Sequence, residues 1–230
     1  YNGTSHQVTG SGLPATQKSL TINNSSNVEL SNDAEPTDLL TLTNGRLEIK
    51  GHTLTVNDIS YASGRLAGSD TSNITVKGSD VLLRFYTSNK GNYLKDLTIA
   101  NNAKANLSKT LGDTLYITGG YNAEGQAGEV SLGSGSQLII NSGYLALRSN
   151  EFGTASLSEV PVDISGNALA TITGDVIVER FINVGTGIGQ HGKKWHLLAT
   201  PTSGQTIKGS WMENGSTPTG YGIQLTSPSG

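Results

Sequence analysis

The chain has no cysteine and a single methionine among its 230 residues. Disulfide staples and thiolate metal sites are therefore excluded. Charge is scarce as well: 14% of residues, 15 basic against 18 acidic, for a formal net charge of −3. That balance leaves no electrostatic footprint for nucleic acid. It also removes half of the signature of disorder, which needs high charge as well as low hydrophobicity. Apolar residues make up 34% and aromatics 6%. No stretch approaches the roughly 20 apolar residues of a membrane helix, so no membrane span is expected. No G-x-S-x-G occurs, so a nucleophile elbow has no support.

What the chain has is glycine, 30 residues of it, with Ser, Thr and Asn around short alternating runs. Leu20-Thr21-Ile22, Leu40-Thr41-Leu42, Leu47-Glu48-Ile49, Leu54-Thr55-Val56, Ile74-Thr75-Val76, Leu97-Thr98-Ile99 and Leu115-Tyr116-Ile117 each put two apolar groups on one face. Period two means strand, and each run ends at turn residues. Lys18–Asn24 returns as Lys95–Asn101, an offset of 97 − 20 = 77 residues, and Val28–Ser31 returns as Ala105–Ser108. Leu40–Gly45 returns as Leu115–Gly120, slightly early. Repetition of this kind points to units that cannot bury their apolar faces alone.

Two architectures compete. An antiparallel sandwich wants hairpins, for which Asn44-Gly45 is a natural loop. A solenoid wants brief strands, inward Leu/Ile/Val and Gly/Asn corners, and the echo would then span about three coils of roughly 20–27 residues each. The pattern favours the solenoid. The expected fold is all-β: a parallel β-helix or solenoid of short strands over residues 1–172, followed over 173–230 by a β-rich tail, cap or second β domain. Leu20, Ile22, Leu40, Leu42, Ile49, Leu54, Val56, Leu97, Ile99, Leu115 and Ile117 should share one core, with their period-two partners exposed. Ala103, Leu107 and Leu111 have helical spacing, but the echo makes this stretch a strand. In the tail, Val176–Ile182, Trp195 and Trp211 are dense enough in large apolar groups to close the last coil.

Motifs with chemical potential are few. Gly187-Ile188-Gly189-Gln190-His191-Gly192 fits G-x-G-x-x-G, and Gly187–Lys193 nearly fits a phosphate loop. Both need a helix next, whereas Lys194-Trp195-His196-Leu197-Leu198 reads as a strand. His191 and His196 fall on opposite faces of an extended segment, and His6 and His52 read as edge or surface residues. Asp58, Asp70 and Asp80, with Arg65 and Arg84, are the candidates for a polysaccharide-cleaving groove. Their spacings of 12 (70 − 58) and 10 (80 − 70) are too short for them to stack coil on coil. Ser69–Asn73 could form a calcium loop. Outward Thr21, Thr41, Thr43, Thr55, Thr75 and Thr98 would suit an ice or crystal face, although β-propensity alone also places Thr there. Tyr86, Tyr93, Tyr116, Tyr121 and Tyr144 would make a sugar platform if they shared a face. No catalytic, cofactor-binding or metal-ligating residue is assigned.

Ser19–Asn24 with Leu42–Val56 resembles the repeats of very large secreted proteins of Bacteroidetes. Ile172–Ile182 looks like their "GxVTVERYI" element, and Trp195-His196-Leu197-Leu198, Trp211 and Gly220-Tyr221-Gly222 match the segments C-terminal to that element in those proteins. These are packing and turn motifs, specific for family and weak for activity. The resemblance implies a surface adhesin or gliding-associated protein exported by the type IX system. That system's sorting domain is absent, the chain stops just after Gly-Tyr-Gly, and Tyr1-Asn2-Gly3-Thr4 is no signal peptide, so a piece of a longer protein is expected. Asp113-Thr114-Leu115 resembles the O-glycosylation sequon of Bacteroidetes. The expected function is a non-catalytic structural or adhesive module at the cell surface. Its partners would be surface polysaccharide, other surface proteins and the secretion machinery during export. The alternatives are a polysaccharide-active β-helix enzyme and an ice- or crystal-binding Thr face.

Overall fold

A computed structural model describes residues 1–107, 114–121, 126–141 and 143–181. Among them there is no helix, and the strands stack in parallel ladders. The first sheet holds Asn2–Gly3, Gln7–Val8, Thr16–Glu29, Glu35–Glu48, Ile59–Tyr61 and Arg65–Ala67. The second holds Thr53–Val56, Asn73–Val76, Asp96–Ile99, Glu129–Leu132 and Ser156–Leu157. A third contains Val81–Leu83, Lys104–Leu107, Gln137–Ile140 and Thr171–Thr173. The fourth contains Tyr93–Leu94, Thr114–Ile117, Tyr144–Leu147 and Val176–Val178. The one antiparallel pair of named strands among the described residues is the hairpin of Ser149–Asn150 with Gly153–Thr154. The fold is the expected parallel solenoid, not the sandwich.

Alternation fixes which side chains face in. Like residues stack over like: Val56 pairs with Val76, Val76 with Ile99, and Ile99 with Leu132. All eleven anchors read from the sequence are buried. Each contributes roughly 1.5–3 kcal/mol by its removal from water, an upper figure because unfolded chains are partly compact. Their partners are mostly half-covered by the neighbouring coils; of the six outward Thr, Thr21 is the exposed one.

The 77-residue echo does not mark a whole number of coils. Leu20 stands in the first sheet under Leu40 and Ile59, whereas Leu97 stands in the second with Ile74 and Val130. Steps between paired residues are 20 at Leu20–Leu40 (40 − 20) and 19 at Leu40–Ile59 (59 − 40). They grow to 33 at Leu97–Val130 (130 − 97) and 34 at Leu138–Ile172 (172 − 138). The echo aligns strands of similar local role on different sheets.

Asn44-Gly45 lies within the long Glu35–Glu48 strand, between two register shifts, and is not a hairpin loop. Gly45 pairs with Asn24 on the parallel neighbour and has a φ of 73°. Asn24 is fully buried, and its Nδ2 donates to the Ser5 carbonyl and to Gln7 Oε1, both at 2.8 Å. The stretch of helical spacing is a strand at Lys104–Leu107, with Ala105 and Leu107 inward. Parallel stacking also runs past residue 172: Val176–Val178 pairs in register with Leu145–Leu147. Trp195, Trp211, the Gly187–Gly192 motif, His191, His196 and Gly220-Tyr221-Gly222 lie outside the described residues.

Candidate functional site

The acidic and basic candidates do not converge. Asp58 caps the Ile59 amide at 2.8 Å. Arg65 donates to the carbonyls of Ser63 and Gly64, and Arg84 lies over the Tyr61 ring. Asp80 meets Lys104 at 2.9 Å and Asn106 at 2.8 Å. Asp70 meets Lys90 at 2.6 Å. The Ser69–Asn73 loop serves as a corner, where the hydroxyls of Ser69 and Ser72 both donate to the Lys50 carbonyl.

His52 faces Asp33, with Nδ1 to Oδ1 at 3.8 Å. His6, Glu29 and Glu48 bring one ligand atom each to within 4.8 Å of one another. A cation already occupies that neighbourhood: Lys50 Nζ stands 3.2 Å from Glu48 and 3.7 Å from Glu29. Burial pulls the Lys50 ammonium down, but hydrogen bonding and charge from Glu48 and Glu29 outweigh this and raise its pKa.

Five of the six outward threonines fall into ladders, and Thr43 is skipped where the register shifts between Leu42 and Asn44. Thr55, Thr75, Thr98 and Ser131 form one column of the second sheet, and Thr21, Thr41 and Ser60 one of the first. The column beside the longer ladder reads Thr53, Asn73, Asp96, Glu129, so its chemistry changes from rung to rung. Thr114, in the sequon-like site, opens its strand half-buried and lines a small, mostly apolar cavity with Leu83 and Leu107.

The tyrosines separate. Tyr86 lies under the Arg46 guanidinium, 4.1 Å from its ring centroid. Tyr93 and Tyr116 pair across the fourth sheet and stack with centroids 4.7 Å apart. A cation stands by each ring: Lys90 Nζ is 5.4 Å from Tyr93, and the Arg148 guanidinium 5.2 Å from Tyr116. Beside this stack opens a groove of about 340 Å³ lined by Asp70, Lys90, Tyr93, Tyr121, Arg148 and Asn150, among others. Tyr144 is exposed on the same sheet but does not line it.

Backbone packing builds the groove floor. A Cβ on Gly119 would come within 2.8 Å of the Ser149 Cα, and one on Gly120 within 2.8 Å of the Phe152 Cβ. Only glycine lets segment 118–120 lie this close to the hairpin. Asn150 Nδ2 donates to the Gly120 carbonyl at 3.0 Å, and the hydroxyls of Ser149 and Thr154 close the hairpin at 2.6 Å. The exposed ring of Tyr121 is thereby placed on the groove wall.

No family model, curated protein or solved structure matches the chain. The site is therefore read from its geometry. Its hydrogen bond to Asp70 raises the Lys90 pKa, so the ammonium stays charged. Asp70 is the sole carboxylate among the described lining residues, and it is engaged by that lysine. An aromatic wall with fixed cations and an amide is suited to holding a ring-shaped polar ligand. Asp70, Tyr93, Tyr116 and Tyr121 were legible as candidates. Lys90, Arg148, Asn150 and the Gly119-Gly120 floor were not. Their one signal is position: Arg148 directly follows the Tyr144–Leu147 strand.

Proposed function

We propose that this chain is a non-catalytic structural and adhesive module of a large exported cell-surface protein, and that it contacts surface glycans. The observation that carries the reading is the Tyr93–Tyr116 stack with Lys90 and Arg148 beside the groove. The resemblance of the strand motifs to type IX-exported Bacteroidetes adhesins supplies the cellular setting. A stack of coils presents such a groove on a stiff support, and repetition along a longer protein would raise the effective concentration of weak sites.

The test is a panel of immobilised neutral and acidic glycans probed with the wild-type chain and with Tyr93→Ala and Tyr121→Ala. Binding by the wild type and its loss in both variants, with melting curves retained, is the expected result. A wild type that binds no glycan sinks the reading. The protein should also release no product from uronate or neutral polysaccharides, with or without calcium. Turnover abolished by Asp70→Asn would replace this reading with an enzymatic one.

A further inference from the structure

We infer that the groove selects a carboxylated sugar, a uronate within a polysaccharide chain, over its neutral counterpart; this rests on the glycan reading above. Exposure decides the sign of the surface a ligand meets. In the Lys90–Asp70 pair the lysine side chain is 58% exposed and the aspartate 11%. The carboxylate sits behind and the ammonium in front. An ammonium has three donors, and Asp70 takes one. At the other end, Glu179 engages Arg148 through Nε at 2.9 Å. Among the described residues no ion pair or hydrogen bond engages the Nη end of that guanidinium, a planar fork matched to a carboxylate.

Each of the two cations is matched by a carboxylate, so what a ligand meets is set by placement: the Lys90 ammonium stands in front of the shielded Asp70, while Arg148 and Glu179 are about equally exposed. Tyr121, 45% exposed, offers a ring to the apolar face of a pyranose, and Asn150 adds an amide. The volume, about 340 Å³, lies at the small end of the range for small-ligand sites, roughly 300–1,000 Å³. Lys90 also holds a left-handed backbone, φ 58°, which is uncommon away from glycine and asparagine and marks a position fixed by its surroundings.

The experiment is calorimetric titration with an oligogalacturonate and with its methyl ester, which has the same ring and no charge. The wild type should bind the acid about tenfold more tightly at low salt, and added salt should erode that preference. Arg148→Gln and Lys90→Met should each reduce the preference, while Arg148→Lys should keep part of it. Tyr121→Ala should weaken both ligands. Equal affinity for acid and ester, or a preference that survives both charge-removing variants in folded protein, overturns the inference and leaves the glycan reading standing. Failure of the wild type to bind either ligand or any neutral glycan removes both.

Discussion

At the scale of single residues, the tightest constraints fall where the backbones of neighbouring coils approach most closely. A Cβ at Gly45 would lie 1.7 Å from the Asn24 carbonyl oxygen, and that oxygen belongs to the backbone of the neighbouring coil. It cannot rotate away, and φ is positive there. Gly45→Ala should therefore cost more than about 2 kcal/mol in a urea melt. Tyr61 is constrained differently. Its hydroxyl donates to the Leu82 carbonyl at 3.0 Å and accepts from the Arg84 amide at 3.1 Å, joining two coils whose strands share no ladder here. Tyr61→Phe leaves both backbone groups unmatched and should cost about 1–3 kcal/mol. Burial raises the Tyr61 pKa well above the ordinary phenol value. A raised folded pKa means that the contribution is complete below the unfolded value, about pH 10, and is lost as pH climbs toward the folded one. Lys90 and Lys50, also raised, act in the same direction. Stability measured between about pH 9 and pH 11 should fall, and fall less steeply in Tyr61→Phe. Parallel pH profiles for the two proteins would contradict this assignment.

At the scale of strands, facing matters more than residue type. Ile74 stands between Leu54 and Leu97 and is 1% exposed, while Thr75 beside it faces outward. Ile74→Ala should destabilise by about 2–5 kcal/mol, and Thr75→Val should stay within about 0.5 kcal/mol of wild type, both read from denaturant midpoints. This facing was legible, because period two is written in Leu54-Thr55-Val56 and Ile74-Thr75-Val76 alike. The column in which each run stands was not legible. Leu20-Thr21-Ile22 and Leu97-Thr98-Ile99 look alike because both fill the same local role. Which strand lies over which is set by corner and loop lengths, written in Gly, Asn and Ser with no periodic signal. The groove was hidden for the same reason. Asp70, Lys90, Tyr121 and Arg148 meet only once coils of unequal length are wound up, and no spacing rule links them.

At the scale of the stack, each coil touches chiefly the coils above and below, so stability is nearly a sum of neighbour terms. Among the described residues, Asn2–Gly3 and Val176–Val178 have one strand partner each. Amides of Asn2–Gly3 and Val176–Val178 should exchange with deuterium well before those of Leu40–Leu42 or Leu97–Ile99, which are paired on both sides. Uniform exchange across the ladders would point to all-or-none opening instead. The growth of the coils from 19–20 residues to 33–34 (59 − 40 and 40 − 20; 130 − 97 and 172 − 138) has a mechanical corollary. Each wound coil occupies only about 4.8 Å along the stacking direction. Pulled out straight, a short coil yields roughly 60 Å of slack and a long one roughly 100 Å. A tether built this way pays out length in discrete reels under load, short ones toward the N-terminal end and long ones toward the other, and the sawtooth of a single-molecule pulling trace would carry both step sizes.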